Sequence, residues 1–166
     1  MANDIYETLQ NDHREVEGLL ERLTNASGNQ RQQILDELAI TLVPHTKAEE
    51  VSFYPHVQQV QDGRSDTEIA EQQHSMAEEL IGECYEALDA SEQEFNEKCQ
   101  LLDQTVRQHI RFEESEMFKL ARDSFDEEEE HQILEDFQQA KEEIREAMQR
   151  VRQRPLGREP GAQPSA

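Results

Sequence analysis

The spacing of the apolar residues constrains the fold of this chain more than any other feature of its sequence. Large apolar side chains recur every three or four positions, as in the first segment with Ile5, Leu9, Val16, Leu20 and Leu23. This period places them along one face of an α-helix. Only 6 glycines and 5 prolines interrupt the 166 residues. Long helices that pack into one domain are therefore predicted.

Turn residues and capping signals divide the chain into five predicted helices. They span about 3–24, a segment after the loop 24–29 that ends near 61, 65–89, 91–123 and 126–152. Asp4 or its neighbour Asn3 can cap the first helix, and Pro44 and Pro55 are expected to kink the second. Ser65 and Ser91 have the capping-box spacing that opens the third and fourth.

Four long helices with short connections predict an all-α fold, an antiparallel up-down-up-down four-helix bundle. The bundle is expected to occupy residues 1–124, and residues 125–153 form an additional C-terminal helix whose packing partner is not readable. The proline-containing stretch 154–166 lacks a large apolar cluster, so it is expected to be disordered.

Charge and hydropathy exclude several classes of partner. The formal net charge is -22, from 38 acidic and 16 basic residues, which repels phosphate backbones and anionic lipid headgroups. No nucleic-acid or membrane partner is therefore expected. The N-terminus shows no secretory signal, so we expect a cytoplasmic protein. Cys84 and Cys99 lack metal-binding or disulfide-framework spacing and are expected to be buried free thiols.

Polar residues with metal-ligand chemistry occupy inward positions in all four predicted bundle helices. They are His13 on the first helix, His45 and Glu49 on the second, His74 on the third, and His109 and Glu113 on the fourth. A buried carboxylate without a partner costs several kcal/mol. No lysine or arginine shares these positions, so a metal is the natural partner. The alternative is a purely structural acidic bundle without metal.

Two of these segments resemble each other, which predicts a site with two metals. HTKAEEVSF at 45–53 parallels HIRFEESEMF at 109–118, and each follows a single histidine. The two half-sites would meet across the bundle axis, with Glu49 and Glu113 as bridges. Imidazole with carboxylate suits iron, manganese or zinc, and paired metals in helical bundles favour iron.

The joint pattern is similar to the H, HxxxE, H, HxxxE signature of hemerythrin-like (HHE cation-binding) domains, over about residues 4–123. The resemblance implies two iron ions, oxo- or hydroxo-bridged, with manganese or zinc less expected. It implies binding of or reaction with dioxygen, peroxide or nitric oxide; an iron store or sensor and a peroxide-decomposing enzyme are the alternatives. Oxygen-carrying hemerythrins have two histidines one turn apart on the third helix, whereas Glu78 stands one turn after His74 here.

Several nearby residues are weighed against this ligand set. Tyr54 and Glu78 are candidate additional ligands, and both are left out of the predicted set. Asp12 and Gln73 each precede a predicted ligand, but adjacent helical residues point about 100° apart, so a surface position is expected for both. His56 is expected to lie too far along its helix to share the site.

Overall fold

The computed structural model describes residues 4–152, all of whose regular structure is helical. The predicted disordered stretch 154–166 lies outside the described residues. The helices are α1 Ile5–Thr24, α2 Gln30–Ser52, α3 Tyr54–Val57, α4 Gly63–Glu86, α5 Glu92–Phe112, α6 Phe118–Ser124 and α7 Glu127–Arg152. A 3-10 turn at Ala87–Asp89 follows α4, and a π-helical turn at Glu113–Met117 joins α5 to α6. The prediction of an all-α chain is confirmed.

The predicted second helix is wrong in its extent, because α2 ends at Ser52 and the short α3 begins at Tyr54. Pro55 stands in the first turn of α3, where a missing N–H is tolerated. It therefore opens a new helix instead of kinking a long one. α2 continues through Pro44.

The start of the predicted third helix is also corrected. α4 begins at Gly63, two residues before Ser65, whose hydroxyl donates to the Asp62 carbonyl instead of capping the helix. Asp62 has a left-handed backbone, φ 69°. A Cβ on Gly63 would lie 1.8 Å from the carbonyl oxygen of Val57, so only glycine fits this close return of the chain.

Two predicted N-caps are confirmed. The Asp4 carboxylate accepts from the Glu7 amide at 2.7 Å, and the Ser91 hydroxyl accepts from the Glu94 amide at 3.2 Å. Each satisfies an amide that has no partner inside its helix. These caps fix where α1 and α5 begin, and both helices carry predicted site residues.

The long helices enclose a shared interior, because α1 packs against α2 and α5, and α4 packs against α5 and α2. Two apolar clusters fill it. One includes Leu20, Leu38 and Leu102, and the other includes Leu9 and Phe53. The predicted metal ligands lie between these clusters along each helix.

The C-terminal helix α7 packs mainly along α2 and also touches α1. Its residues Ile133, Leu134 and Phe137 are buried in the same cluster as Leu9 and Phe53. Burial of this face ties α7 to the bundle by the hydrophobic effect. The packing partner that the sequence did not reveal is therefore α2.

Two further expectations concern cysteine and membrane chemistry. Cys84 and Cys99 are free, buried thiols whose sulfur atoms lie 3.9 Å apart, as expected. Among residues 4–152, no helix combines the length and apolar character that a membrane span requires.

Candidate metal centre

The structure brings all six predicted ligands together in the interior of the helical bundle. Their exposed fractions are 2% for His13, 1% for His45, 0% for Glu49, 1% for His74, 4% for His109 and 0% for Glu113. The helical period places each of them on the inward face of its helix. The stripe positions inferred from the sequence therefore lie where a shared site requires them.

The potential donor atoms form two groups with one member in common. His13, His45 and Glu49 each offer an atom within 4.8 Å of the others, and so do Glu49, His74 and His109. Each group joins imidazole nitrogen to carboxylate oxygen, a mixture that suits a first-row transition metal. The shared Glu49 links the two groups.

The two buried glutamates lie between the imidazole pairs. Glu49 directs Oε1 to within 3.0 Å of His45 Nε2 and Oε2 to within 3.3 Å of His74 Nε2. Glu113 Oε2 lies 3.1 Å from His13 Nε2 and 4.0 Å from His109 Nε2. Both carboxylates are therefore placed between the two groups, as bridging ligands would be.

Each of the four histidines has an oxygen partner for its Nδ1 atom. The pairs are His13 with Glu114 at 2.7 Å, His45 with Asp12 at 3.0 Å, His74 with Glu50 at 3.0 Å and His109 with Gln73 at 3.1 Å. Such bonds fix the ring orientation and its tautomer. They leave every Nε2 atom directed into the centre.

The expectation that Asp12 and Gln73 lie at the surface is wrong. Asp12 is buried and Gln73 is half-buried, and each binds a histidine of the neighbouring helix instead of the one beside it in sequence. The 100° offset turns a side chain away from its own helix's inward face, but it also directs that side chain towards the adjacent helix. The DH and QH dipeptides were the available signal.

Glu50 and Glu114 were not identified as site residues from the sequence. Each follows a buried glutamate and accepts from the lone histidine of another helix. The sequence signal was the pair of adjacent glutamates in both repeated segments. The two halves of the site are thus alike in the outer hydrogen bond of their lone histidines.

The buried polar atoms at the centre provide a test of whether a metal fits. His13 Nε2, His45 Nε2 and both carboxylate oxygens of Glu49 and Glu113 are inaccessible to solvent and have no hydrogen-bond partner. Leaving such atoms unsatisfied is costly. Cations placed among them would satisfy all six atoms, so the donor set fits a pair of metal ions.

Without metal, the charges of the site are balanced by protons. Burial lowers the pKa of His13, but the adjacent carboxylates of Glu113 and Glu114 outweigh burial and raise this pKa to about 10. Burial lowers the pKa of His74, but the adjacent carboxylates of Glu49 and Glu50 outweigh burial and raise this pKa to about 9. Burial and then the negative Glu49 raise the pKa of Glu113.

Tyr54 and Glu78, the two additional candidates, lie in different surroundings. Tyr54 is fully buried, with its hydroxyl 3.1 Å from His74 Nε2 and its ring stacked on the imidazole at 5.4 Å between centroids. Glu78 forms an ion pair with Lys47 at 2.8 Å and is partly exposed. Only Tyr54 reaches the centre.

The π-helical turn at Glu113–Met117 explains how two adjacent glutamates serve the site. It contradicts the prediction of one uninterrupted helix to residue 123. A π turn inserts one extra residue into a helical turn, and such turns occur frequently at functional sites. Here Glu113 points into the centre while Glu114 reaches His13 on α1.

One side of the site is covered by α7. Its Phe137 ring packs edge-on against the His45 ring, with centroids 5.7 Å apart. One turn later, the Lys141 ammonium binds the Asp12 carboxylate. His56 lies outside the centre, as expected, and pairs with Glu129 at 2.7 Å.

Comparison with known proteins gives a family and a fold. The model of the hemerythrin HHE cation binding domain matches residues 4–121. The crystal structure of a hemerythrin HHE cation binding domain-containing protein from Mycobacterium kansasii superposes with a TM-score of 0.79 at 18% identity, covering 93% of this chain and 96% of that one. The shared fold is therefore hemerythrin-like.

A curated relative is longer than this chain. A protein of Nostoc sp. named DNA nickase is 28% identical over 146 residues, which are 87% of this chain and 41% of the relative. The chain thus spans less than half the length of that relative.

Proposed function

Because this chain belongs to the hemerythrin HHE cation binding domain family, we propose that it holds two iron ions and binds or reacts with a small oxygen or nitrogen species. Dioxygen, peroxide and nitric oxide are the ligands considered. The observation that carries the proposal is the set of six solvent-inaccessible atoms without hydrogen-bond partners on His13, His45, Glu49 and Glu113.

The donor atoms divide naturally between two ions. His13 and His45 would hold one metal, His74 and His109 the other, and Glu49 and Glu113 would contribute to both. Iron is preferred to manganese or zinc because paired iron ions are typical of carboxylate and imidazole sites in helical bundles. Six side chains cannot occupy every coordination site of two octahedral ions. A small ligand could bind at the open sites, where the metals would supply Lewis-acid and redox chemistry.

The surrounding residues orient the site and exclude bulk water. Phe118 stacks on the His13 ring with centroids 6.3 Å apart, and Phe137 covers His45. The two apolar clusters lie on either side of the site along the bundle axis. A low-dielectric lining of this kind strengthens electrostatic interactions at the centre.

Tyr54 holds a proton at the centre. Burial and the negative charges of Glu113 and Glu49 raise the pKa of its hydroxyl well above the usual value. With His74 Nε2 engaged by a metal, that hydroxyl would lose its present hydrogen-bond partner and could donate to a bound small ligand. The buried position of this hydroxyl beside His74, and not its raised pKa, favours peroxide decomposition as the second candidate function, since splitting peroxide requires a proton donor.

An iron store or sensor is a further alternative. In such a protein, metal binding would order the bundle and a partner protein would recognise the folded state. A large loss of helical circular dichroism on chelation supports that alternative, and retained helicity contradicts it.

No DNA-directed activity is proposed for this chain. The name of the Nostoc relative describes a protein of which this chain matches 41%, and the net charge of -22 repels phosphate. A cytoplasmic location stays a prediction.

We also propose that the bundle runs up-down-up-down, because α1, α2, α4 and α5 meet the two apolar clusters in alternating order.

The test is metal analysis of protein purified from iron-supplemented cells. The wild type and His131→Ala, which alters a surface histidine that is 69% exposed, should contain about two irons per chain. His109→Ala should lose about half of this iron and the near-ultraviolet absorption of the bridged ferric pair. No stoichiometric metal in the wild type would overturn the proposal.

A further inference from the structure

The two halves of the site repeat each other except at one outer position. In both halves a carboxylate accepts from the lone histidine: Glu114 for His13 and Glu50 for His74. The second histidine differs between halves. His45 binds the carboxylate of Asp12, whereas the equivalent His109 binds the amide oxygen of Gln73.

The Asp12 carboxylate is held by a second element of the fold. Lys141 of α7 binds the Asp12 Oδ2 atom that also faces His45 Nδ1. Phe137, one turn earlier on α7, is fully buried against the His45 ring. Contacts from α7 therefore hold both partners of this hydrogen bond, the Asp12 carboxylate through Lys141 and the His45 ring through Phe137.

A carboxylate partner strengthens a histidine as a metal ligand. It pulls on the Nδ1 proton, makes Nε2 a better electron donor and holds the ring in place, and loss of such a partner commonly lowers metal affinity by about 10- to 100-fold. A neutral amide oxygen provides the orientation with less of the electronic effect. The two metal positions should consequently differ in affinity.

We propose that Asp12, anchored by Lys141, is a positioning residue that makes the metal position of His13 and His45 the tighter of the two. This inference rests on the proposed two-iron function. It assigns α7 a role at the metal centre in addition to its packing, because Lys141 acts on the metal through Asp12 and His45.

The experiment measures iron release from the full chain. Protein loaded anaerobically with ferrous iron is mixed with an excess of a coloured ferrous chelator, and the absorbance is followed over time. We expect two phases of equal amplitude. His45→Ala should remove the slow phase and His109→Ala the fast one, which assigns each phase to a position.

The discriminating variants exchange the two outer residues. Asp12→Asn should speed the slow phase by about 10- to 100-fold and leave the fast phase unchanged, while Gln73→Glu should slow the fast phase. Lys141→Met should speed the slow phase less than Asp12→Asn does. In Lys141→Arg the slow phase should keep its wild-type rate. Lys98→Met, which removes an ion pair with Glu83 far from the site, is the matched control.

A purely structural role for Asp12 predicts a different result, because general loosening of the bundle would speed both phases together. Equal acceleration of both phases, or one phase in a wild type that binds two irons, would overturn this inference and leave the proposed function intact. A wild type that binds fewer than two irons would overturn both. Helical circular dichroism of each variant verifies that it is folded.

Discussion

The carboxylate of Glu49 spans the space between His45 and His74, with Oε1 3.0 Å from one Nε2 atom and Oε2 3.3 Å from the other. One side chain of α2 therefore connects imidazoles of α2 and α4. A carboxylate in this position can bind two cations at once, so its loss should affect both.

Glu49→Gln is expected to lower metal content at both positions. The amide keeps the size of the side chain but removes the negative charge and one oxygen donor. We expect iron to fall from about two to less than one per chain, measured by elemental analysis. The control is Glu78→Gln, which changes a glutamate paired with Lys47 and should retain full iron. Equal iron in both variants would contradict the assignment of Glu49.

Metal removal should lower the stability of the wild type. At a free metal concentration about a hundredfold above the dissociation constant, binding at one site adds about 2.7 kcal/mol to the free energy of unfolding. Urea unfolding with ferrous iron and with chelator measures the difference. His109→Ala, which lacks one predicted ligand, should show a smaller gain. Identical unfolding curves with and without metal would count against a folded-state metal site.

The metal-free protein should lose stability at alkaline pH. The pKa values of His13 and His74 in the folded chain are about 10 and about 9, both raised from 6.5. Each raised pKa implies a stabilisation of the folded chain that is fully present below the unfolded pKa of 6.5. This stabilisation is lost as the pH rises through the folded values of about 9 and about 10. Urea unfolding of chelator-treated protein across this range measures the loss.

His13→Gln provides the comparison for this pH effect. It removes the larger of the two shifts, so the difference in unfolding free energy between wild type and variant should shrink as the pH rises. A difference that stays constant from about pH 6.5 to pH 10 would show that the His13 proton does not contribute.

Tyr54→Phe separates metal binding from proton donation. If Tyr54 acts only as a proton donor, iron content stays at the wild-type value while peroxide decomposition slows by about 100-fold. Tyr6→Phe, which removes a buried hydroxyl bound to Glu130 at 2.8 Å, is the control and should decompose peroxide at the wild-type rate. Iron loss in Tyr54→Phe, with loss of a visible phenolate band, would instead identify Tyr54 as a ligand.

The inward placement of the six predicted ligands could be read from the sequence because helical periodicity alone decides which face a residue occupies. His13 interrupts a regular apolar stripe, and His45 with Glu49 interrupts another. The same rule could not reveal the partners of their Nδ1 atoms. Those bonds cross between helices, so they depend on helix spacing and rotation, which local sequence does not determine.

The helix interruptions illustrate the same limit. Pro55 signals a break, but whether it kinks a helix or opens a new one depends on the turn that precedes α3. The π-helical turn at Glu113–Met117 has no proline or glycine to mark it. Its Glu114 meets His13 of α1, a contact between helices that local sequence does not determine. The position of α7 on α2 likewise depends on tertiary contacts of Phe137.

The layer of polar ligands separates the interior into two apolar compartments, one around Leu20 and Leu102 and the other around Leu9 and Phe53. In the metal-free chain this polar layer interrupts the apolar packing between the two clusters. We therefore expect the two ends of the bundle to open independently in hydrogen exchange. Two ions bound in this layer would couple the two ends, and amides at both ends would then exchange at one common rate. The metal centre would in that case set the cooperativity of the whole bundle.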